Sequence, residues 1–151
     1  MGAPHPYFRI LSEEFAGHGR KFAKLASQTY RIGGIVGIQV GTGTIRPWTA
    51  ADIPVGICQE SITSAHTNYA NTTPINVEIV LSGAEILCPV SVGTPALTSL
   101  GYYADIVSGG LSITLSTSTY DDMCVVARNG ASTTDIICVP GGASSTPFAY
   151  A

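Results

Sequence analysis

The chain has 151 residues, a length that suits one domain with a hydrophobic core of its own. Its seven basic and ten acidic residues give a formal net charge of −3, which argues against nucleic-acid binding by neutralisation of phosphates. Charged residues make up 11% of the chain and apolar residues 45%, so the composition also argues against intrinsic disorder. A surface this poor in charge is what we expect of a protein that partners largely cover.

Signals for membrane insertion, secretion or disulfide formation are weak. No apolar run approaches the ~20 residues of a membrane-spanning helix, and residues 1–6 lack the basic start and apolar centre of a secretory signal. The four cysteines lie in separate apolar segments without a CxxC pair: Cys58, Cys88, Cys124 and Cys138. We expect buried, structural thiols, with disulfides or a metal site as the alternatives.

Residues 1–30 differ in composition from the rest of the chain, because most basic residues and many aromatic residues lie here. Ser12 and Glu13 favour a short helical turn, but Gly17 and Gly19 argue against a stable helix. This segment is predicted to be an extended N-terminal arm. Its basic and aromatic residues include Tyr7, Phe8, Arg9, Phe15, Arg20, Lys21 and Lys24.

Residues 31–139 show short β-rich segments separated by glycine-containing turns. Alternation is clearest where Ile75, Val77 and Ile79 face one side of a strand and Asn76 and Glu78 the other. Strands are predicted at 34–40, 55–60, 75–81, 84–90, 102–107, 111–115, 123–127 and 136–139. This pattern indicates an all-β fold, a small β-barrel or β-tulip-like domain.

Residues 140–151 have the composition of a linker but carry Phe148 and Tyr150. We predict a C-terminal tail, and two alternatives are open: a flexible segment, or a segment that docks on a neighbouring molecule.

Catalytic constellations are absent from the sequence pattern. His5, His18 and His66 show no metal-ligand spacing, and no serine lies in a GxSxG motif. Trp48 is a candidate platform for sugar stacking, although a tryptophan packed over the end of a barrel is the commoner role. We therefore expect a protein that is not an enzyme and holds no cofactor or metal.

Several segments carry a family resemblance. Residues 54–60 read Pro-Val-Gly-Ile-Cys-Gln-Glu, 75–83 form an alternating strand that ends in Ser-Gly, 93–105 form a loop that leads to Tyr-Tyr-Ala-Asp, and 123–127 read Met-Cys-Val-Val-Ala. These segments resemble the strand order and turns of the small capsid decoration, or head-stabilising, proteins of tailed bacteriophages, over about two thirds of the chain. Two positions depart from the family pattern: Tyr102 replaces a common acid and Cys124 a glycine.

The resemblance implies a virion protein, made in the host cytoplasm, that binds the outer surface of the major capsid lattice. It would stabilise the head by burying interface area without catalysis, next to other copies of itself, with a trimer favoured and a dimer possible. The arm and tail supply the candidate capsid contacts: Tyr7, Phe8, Arg9, Phe15, Arg20, Lys21, Phe148 and Tyr150.

The alternative function is a head fibre or tail-associated module that binds the host. Trp48 and the polar loop 61–73 are then the candidate contact surfaces. A small hydrolase or lyase on a β-barrel is a third interpretation, which the lack of a convergent site disfavours.

Overall fold

The computed structural model describes residues 7–116, 122–141 and 148–149. These parts of the chain form short β-strands and two 3-10 helices, which span Glu13–Phe15 and Leu97–Ser99. The strands are β1 (Arg9–Ile10), β2 (Gly19–Phe22), β3 (Ile35–Ile38), β4 (Ile45–Pro47), β5 (Ile53–Cys58), β6 (Ile75–Ile79), β7 (Ile86–Val92), β8 (Tyr103–Ile106), β9 (Ile113–Ser116), β10 (Met123–Arg128) and β11 (Asp135–Pro140).

The first sheet is a closed barrel. Its strand order is β1-β7-β11-β10-β8-β9, and β7 also pairs with β9, so that five strands form a ring with β1 outside it. The closing pair is parallel, with Val90 opposite Ile113 and Val92 opposite Thr114, whereas the other pairs are antiparallel. The prediction of an all-β fold with a small barrel is confirmed.

The second sheet has the order β2-β6-β5-β3-β4. Its two outer strands are joined where the chain leaves β2, because Lys24 forms a parallel bridge with Ile45 of β4. The Ile45 N–H donates to the Ala23 carbonyl, and the Leu25 N–H donates to the Ile45 carbonyl. Each sheet therefore contains one parallel contact: the β7–β9 pair in the first sheet and the Lys24–Ile45 bridge in the second.

The core has two parts, which lie on the two faces of the second sheet. Successive residues of β3 separate them, since Ile35 belongs to the larger cluster and Val36 to the smaller one. The larger cluster fills the barrel and the space between the sheets, with members such as Phe8, Trp48, Ile86, Ile113, Met123, Ile136 and Phe148. The smaller cluster consists of Tyr30, Val36, Ile45, Val55, Cys58, Ile62, Ile75 and Val77.

The eight predicted strands are confirmed, with ends that differ by a few residues, as β3 and β5–β11. The prediction of an arm is wrong for residues 7–30. Their short strands pair within both sheets, β1 with β7 and β2 with β6, and Phe8 and Tyr30 are buried. The high content of glycine and charge concealed these strands, which are two and four residues long.

The N-terminal helical turn is a single 3-10 turn, as the glycines after it predict. Ser12 does not cap this turn with its side chain. Its hydroxyl oxygen instead accepts a hydrogen bond from the Glu85 N–H, at 3.1 Å, and so connects the turn to the residue before β7.

The prediction for residues 140–151 also needs correction. Pro140 belongs to β11, and the Phe148 side chain is buried in the larger core cluster of the same chain. The Ala149 N–H donates to the Pro54 carbonyl at 2.8 Å. Residues 148–149 therefore dock on their own domain, while 142–147 and 150–151 lie outside the described residues.

Gly56 gives a test of the contact between β5 and β6. A Cβ atom at this position would lie 2.1 Å from the backbone oxygen of Glu78, so alanine cannot enter without displacing a strand. We expect Gly56→Ala to lower the free energy of unfolding by about 1–3 kcal/mol, measured by urea denaturation. Gly19→Ala in β2 is the control, since a Cβ there meets nothing within 4 Å. Equal stability of the two variants would contradict the packing described.

Candidate interaction surfaces

A tight turn at Arg31–Gly34 brings an N-terminal aromatic residue onto the surface. The Gly34 N–H donates to the Arg31 carbonyl at 3.0 Å, and Gly33 has a positive φ of 85°. A Cβ at position 33 would lie 2.1 Å from the Cβ of Tyr7, so glycine is required where the Tyr7 side chain crosses the turn. The Phe8 N–H then donates to the Gly33 carbonyl and directs the chain into β1.

The same turn meets the β8–β9 hairpin on its other side. The Ile35 N–H donates to the Gly110 carbonyl at 2.7 Å, and the Leu111 side chain lies against Gly34. Three large apolar side chains around this turn are exposed: Tyr7 by 45%, Ile32 by 58% and Leu111 by 41%. We call these three residues the turn patch.

A groove of about 250 Å³ opens beside the turn patch. It lies where the second sheet meets the β8–β9 hairpin of the barrel, and it is open to solvent. Its floor is apolar and buried, formed by Ile35, Val36 and Cys58. Its rim includes Arg31, Pro47 and Leu111.

A second exposed apolar surface, the loop patch, consists of Val92, Leu97 and Leu100. The 3-10 helix Leu97–Ser99 leads into β8, and the Gly93 backbone lies against Leu115 near the end of β9. The turn that carries Leu111 follows the other end of β8. The loop patch and the turn patch therefore lie at opposite ends of the closed barrel.

The structure separates the residues predicted to contact a capsid. Tyr7 and Arg9 are exposed at the surface, and Tyr7 belongs to the turn patch. Phe8 and Phe148 are each 1% exposed and pack in the larger core cluster, so they cannot contact a partner in this conformation. Tyr150 lies outside the described residues.

The other predicted contacts do not join this surface. Arg20 and Lys21 are exposed on β2, which belongs to the second sheet. Phe15 is half-buried against the larger core cluster. These residues were grouped by their proximity in sequence, and the pairing of β1 and β2 with different sheets separates them.

Neither of the two features suggested for host binding is a free contact surface, because one is buried and the other is bonded to the core. Trp48 is buried in the larger core cluster, so it offers no platform to a sugar and takes the role of a core residue.

The loop 61–73 is bonded to the second sheet through the Lys24 side chain, which is fully buried. The Lys24 ammonium donates to the Asn68 carbonyl at 2.5 Å and to the Asn71 carbonyl. Burial lowers the pKa of Lys24.

Charge at the surface near Trp48 is neutralised within the chain. The Arg46 guanidinium donates to both carboxylate oxygens of Asp52, with Nη2–Oδ1 at 2.8 Å and Nε–Oδ2 at 2.9 Å. This contact raises the pKa of Arg46. A bidentate pair of this kind leaves Arg46 unavailable for a partner's carboxylate.

The cysteines are free thiols. The prediction that they are buried is confirmed for Cys58, Cys88 and Cys138 and is wrong for Cys124, which is partly exposed. Burial raises the pKa of the Cys58 thiol to about 11, and the thiol donates to the Glu60 carbonyl. Burial also raises the pKa of Cys88, which lies near Cys138. Thiols held in the protonated form are poor nucleophiles and poor metal ligands.

Two general searches complete the description of the surface. Within residues 7–116, 122–141 and 148–149, no three side chains of histidine, cysteine, aspartate or glutamate are grouped so that they could hold a metal ion. In the same parts of the chain, none of the helices has the length and apolar character needed to cross a membrane.

Sequence reasoning missed the main members of both patches. Ile32 precedes the predicted strand 34–40, and Leu111 lies in the predicted strand 111–115, where it alternates in register with Ile113. The structure ends that register because β9 begins at Ile113. One signal was present: an isoleucine between Arg31 and Gly33–Gly34 lies in a turn, where a large apolar side chain has no core to face.

The Lys24 contact predicts how the loop 61–73 is held. Lys24→Met removes the donor of two part-buried hydrogen bonds, and a hydrogen bond to a charged group contributes about 1.5–3 kcal/mol. We expect a free energy of unfolding lower by about 2 kcal/mol and faster amide hydrogen exchange over 63–73. Lys21→Met, at an exposed position of β2, is the control. Unchanged exchange in the Lys24 variant would show that the loop does not depend on the ammonium.

The raised pKa of Cys58 predicts a loss of stability at alkaline pH. An unfolded thiol ionises near pH ~8.5, whereas the folded one keeps its proton to about pH 11, so stability falls as pH rises between these values. We expect reduced protein to lose about 2 kcal/mol more than Cys58→Ala between pH 8 and pH 10.5, measured by urea denaturation. Lys24 acts in the opposite direction in both proteins, so the difference isolates the thiol. Parallel curves for the two proteins would contradict the assignment.

Comparison with protein-family models, with curated proteins and with solved structures found no match to this chain. Its function therefore has to be inferred from its own residues: the two exposed apolar patches, the groove beside one of them and the charges around it.

Proposed function

We propose that the protein is a capsid decoration protein of a tailed bacteriophage. It binds the outer surface of the major capsid lattice and stabilises the head by burying interface area, without catalysis. The observation that carries this proposal is the presence of two exposed apolar patches at opposite ends of one closed barrel. The family resemblance of the strands and turns supports it.

The energetic reason is the cost of leaving apolar surface in water. Burial of such surface contributes about 25 cal/mol per Å², and exposed apolar clusters commonly mark sites of protein association. The turn patch and the loop patch each offer three such side chains. A partner that covers either patch gains this energy without unfolding any part of the barrel.

The positions of the two patches suit a bridging role. Because they lie at opposite ends of the barrel, one copy contacts two neighbouring subunits at once. The second contact is then intramolecular, and the combined binding exceeds that of either patch alone. A bridge across a joint between capsid subunits resists their separation, which is the work of a cement protein.

Neighbouring copies of the same chain belong to this proposal, as a trimer or a dimer on the capsid. A chain with 11% charged residues and a net charge of −3 has little repulsion to overcome when copies crowd together. The location is the exterior of the capsid in the virion, after synthesis in the host cytoplasm.

Capsid binding accounts for the surface better than host binding does. Of the two features that favoured a head fibre or a tail-associated host-binding module, Trp48 is buried. The polar loop 61–73 is connected to the core through the buried ammonium of Lys24. Neither patch lies in that loop.

Heads from a phage that encodes this chain test the proposal. Purified virions should contain hundreds of copies per particle by gel densitometry, and heads assembled without the protein should take it up to the same level. Ile32→Asp in one patch and Leu97→Asp with Leu100→Asp in the other should each weaken uptake about tenfold, since a desolvated carboxylate replaces an apolar contact.

The matched control is Val40→Asp. Val40 is an exposed apolar residue on the β3–β4 hairpin, outside both patches, so the same chemical change there should leave uptake unaltered. Absence of the protein from purified virions would overturn the proposal. A loss with the Val40 variant as large as with the patch variants would remove the patches as its basis.

A further inference from the structure

We infer that the turn patch and its groove bind an extended segment of a partner polypeptide in which a carboxylate lies beside a large apolar side chain. This inference deepens the proposed function, since it names the chemistry of one of the two contacts, and it rests on that function only for the identity of the partner as capsid protein.

The groove is built for an apolar group of limited size. Its volume of about 250 Å³ lies below the ~300–1,000 Å³ of sites that enclose whole small-molecule ligands. The floor residues Ile35, Val36 and Cys58 are at most 2% exposed, so the apolar surface open to an occupant comes mainly from Pro47 and Leu111 on the rim. Burial raises the pKa of the Cys58 thiol, so the floor carries no charge near neutral pH. One large apolar side chain fits such a space.

The rim supplies a positive charge. Arg31 is exposed, and no hydrogen bond or ion pair of its side chain occurs among the described residues, in contrast to Arg46, which Asp52 binds. None of the described residues that line the groove or form the turn patch is acidic. A guanidinium that has no internal partner is a donor for a carboxylate, which it binds through two hydrogen bonds.

A second guanidinium extends this charge. The chain alternates at its start, so that Phe8 and Ile10 face the core while Tyr7 and Arg9 face solvent. Arg9 therefore lies on the same outer surface as Tyr7. The protein as a whole carries a net charge of −3, and this surface is a local exception that favours an acidic partner.

The extent of the patch favours a polypeptide over a small amphiphile. Tyr7 and Ile32 lie outside the groove and are 45% and 58% exposed, so the apolar surface continues beyond the space that one small molecule fills. An extended segment places one side chain in the groove and others over Tyr7 and Ile32.

The loop patch of a second copy does not offer the matching chemistry. The other exposed apolar surface, the loop patch, lies in residues 92–101, which contain no charged residue. Contact between the loop patch of one copy and the turn patch of another would leave Arg31 without a carboxylate. The loop patch of a second copy is therefore the wrong occupant, and the occupant proposed is a segment of another protein.

The experiment uses the purified full-length chain and a displayed library of random dodecapeptides. Selected peptides should be enriched in aspartate or glutamate next to leucine, isoleucine or phenylalanine. Selection on Arg31→Gln should lose the acidic enrichment and retain the apolar one. Selection on Lys21→Gln, which removes an exposed charge from β2, is the control and should resemble the wild type.

The most enriched peptide then gives a quantitative test by fluorescence anisotropy. Arg31→Gln, or a peptide with amides in place of its carboxylates, should weaken binding about tenfold, the effect of one charge-assisted hydrogen bond. Added salt should weaken wild-type binding more strongly than binding to the variant, which keeps Arg9.

Three results would overturn the inference. The first is a selection that shows no enrichment of acidic residues, and the second is a peptide affinity that Arg31→Gln leaves unchanged. The third is complete displacement of the peptide by octanoate, which would assign the groove to a small amphiphile. These results leave uptake by heads intact and are thus distinct from failure of the proposed function. Conversely, if the selection yields acidic peptides but purified virions lack the protein, this inference stands and the capsid role is overturned.

Discussion

The parallel pairing of β7 with β9 closes the first sheet, and most of the molecule depends on it. Antiparallel neighbours are joined by short hairpins, but a parallel pair needs a longer connection. Here that connection runs through the 3-10 helix Leu97–Ser99, β8 and the turn before Leu111. Because the ring has no free edge, pairing with foreign strands is suppressed. Association is left to side chains at the two ends of the barrel, where the connection itself places the apolar residues.

The second sheet is buried on both faces, and this arrangement creates the groove. One face covers the barrel through Ile35 and Trp48, and the other encloses the smaller core cluster. The consecutive buried residues of β5 reflect this double burial. Where the sheet meets the β8–β9 hairpin, glycines at 34 and 110 allow the backbones to approach closely. The groove is the space that this close approach leaves beside Arg31.

The sequence predicted the fold class and eight strands because alternation and glycine turns record burial directly. Two shorter strands were not predicted. Arg9–Ile10 is too short to show an alternation, and Gly19–Phe22 is an outer strand whose charged residues hide its pattern. The candidate site was predicted only through Tyr7 and Arg9. Phe8 and Phe148 were assigned to partners since aromatic residues in polar segments lack a visible core. Ile32 and Leu111 meet only through pairing between distant segments, which a local pattern does not contain.

Phe8 and Phe148 come from nearly opposite ends of the chain and share one core cluster. The larger core cluster is therefore complete only when Phe148 has joined Phe8, from which 140 residues of sequence separate it. Contacts between such distant residues also make folding slow relative to a helical protein of equal size. The two patches therefore face a partner on a fully packed barrel only once this contact between distant segments has formed.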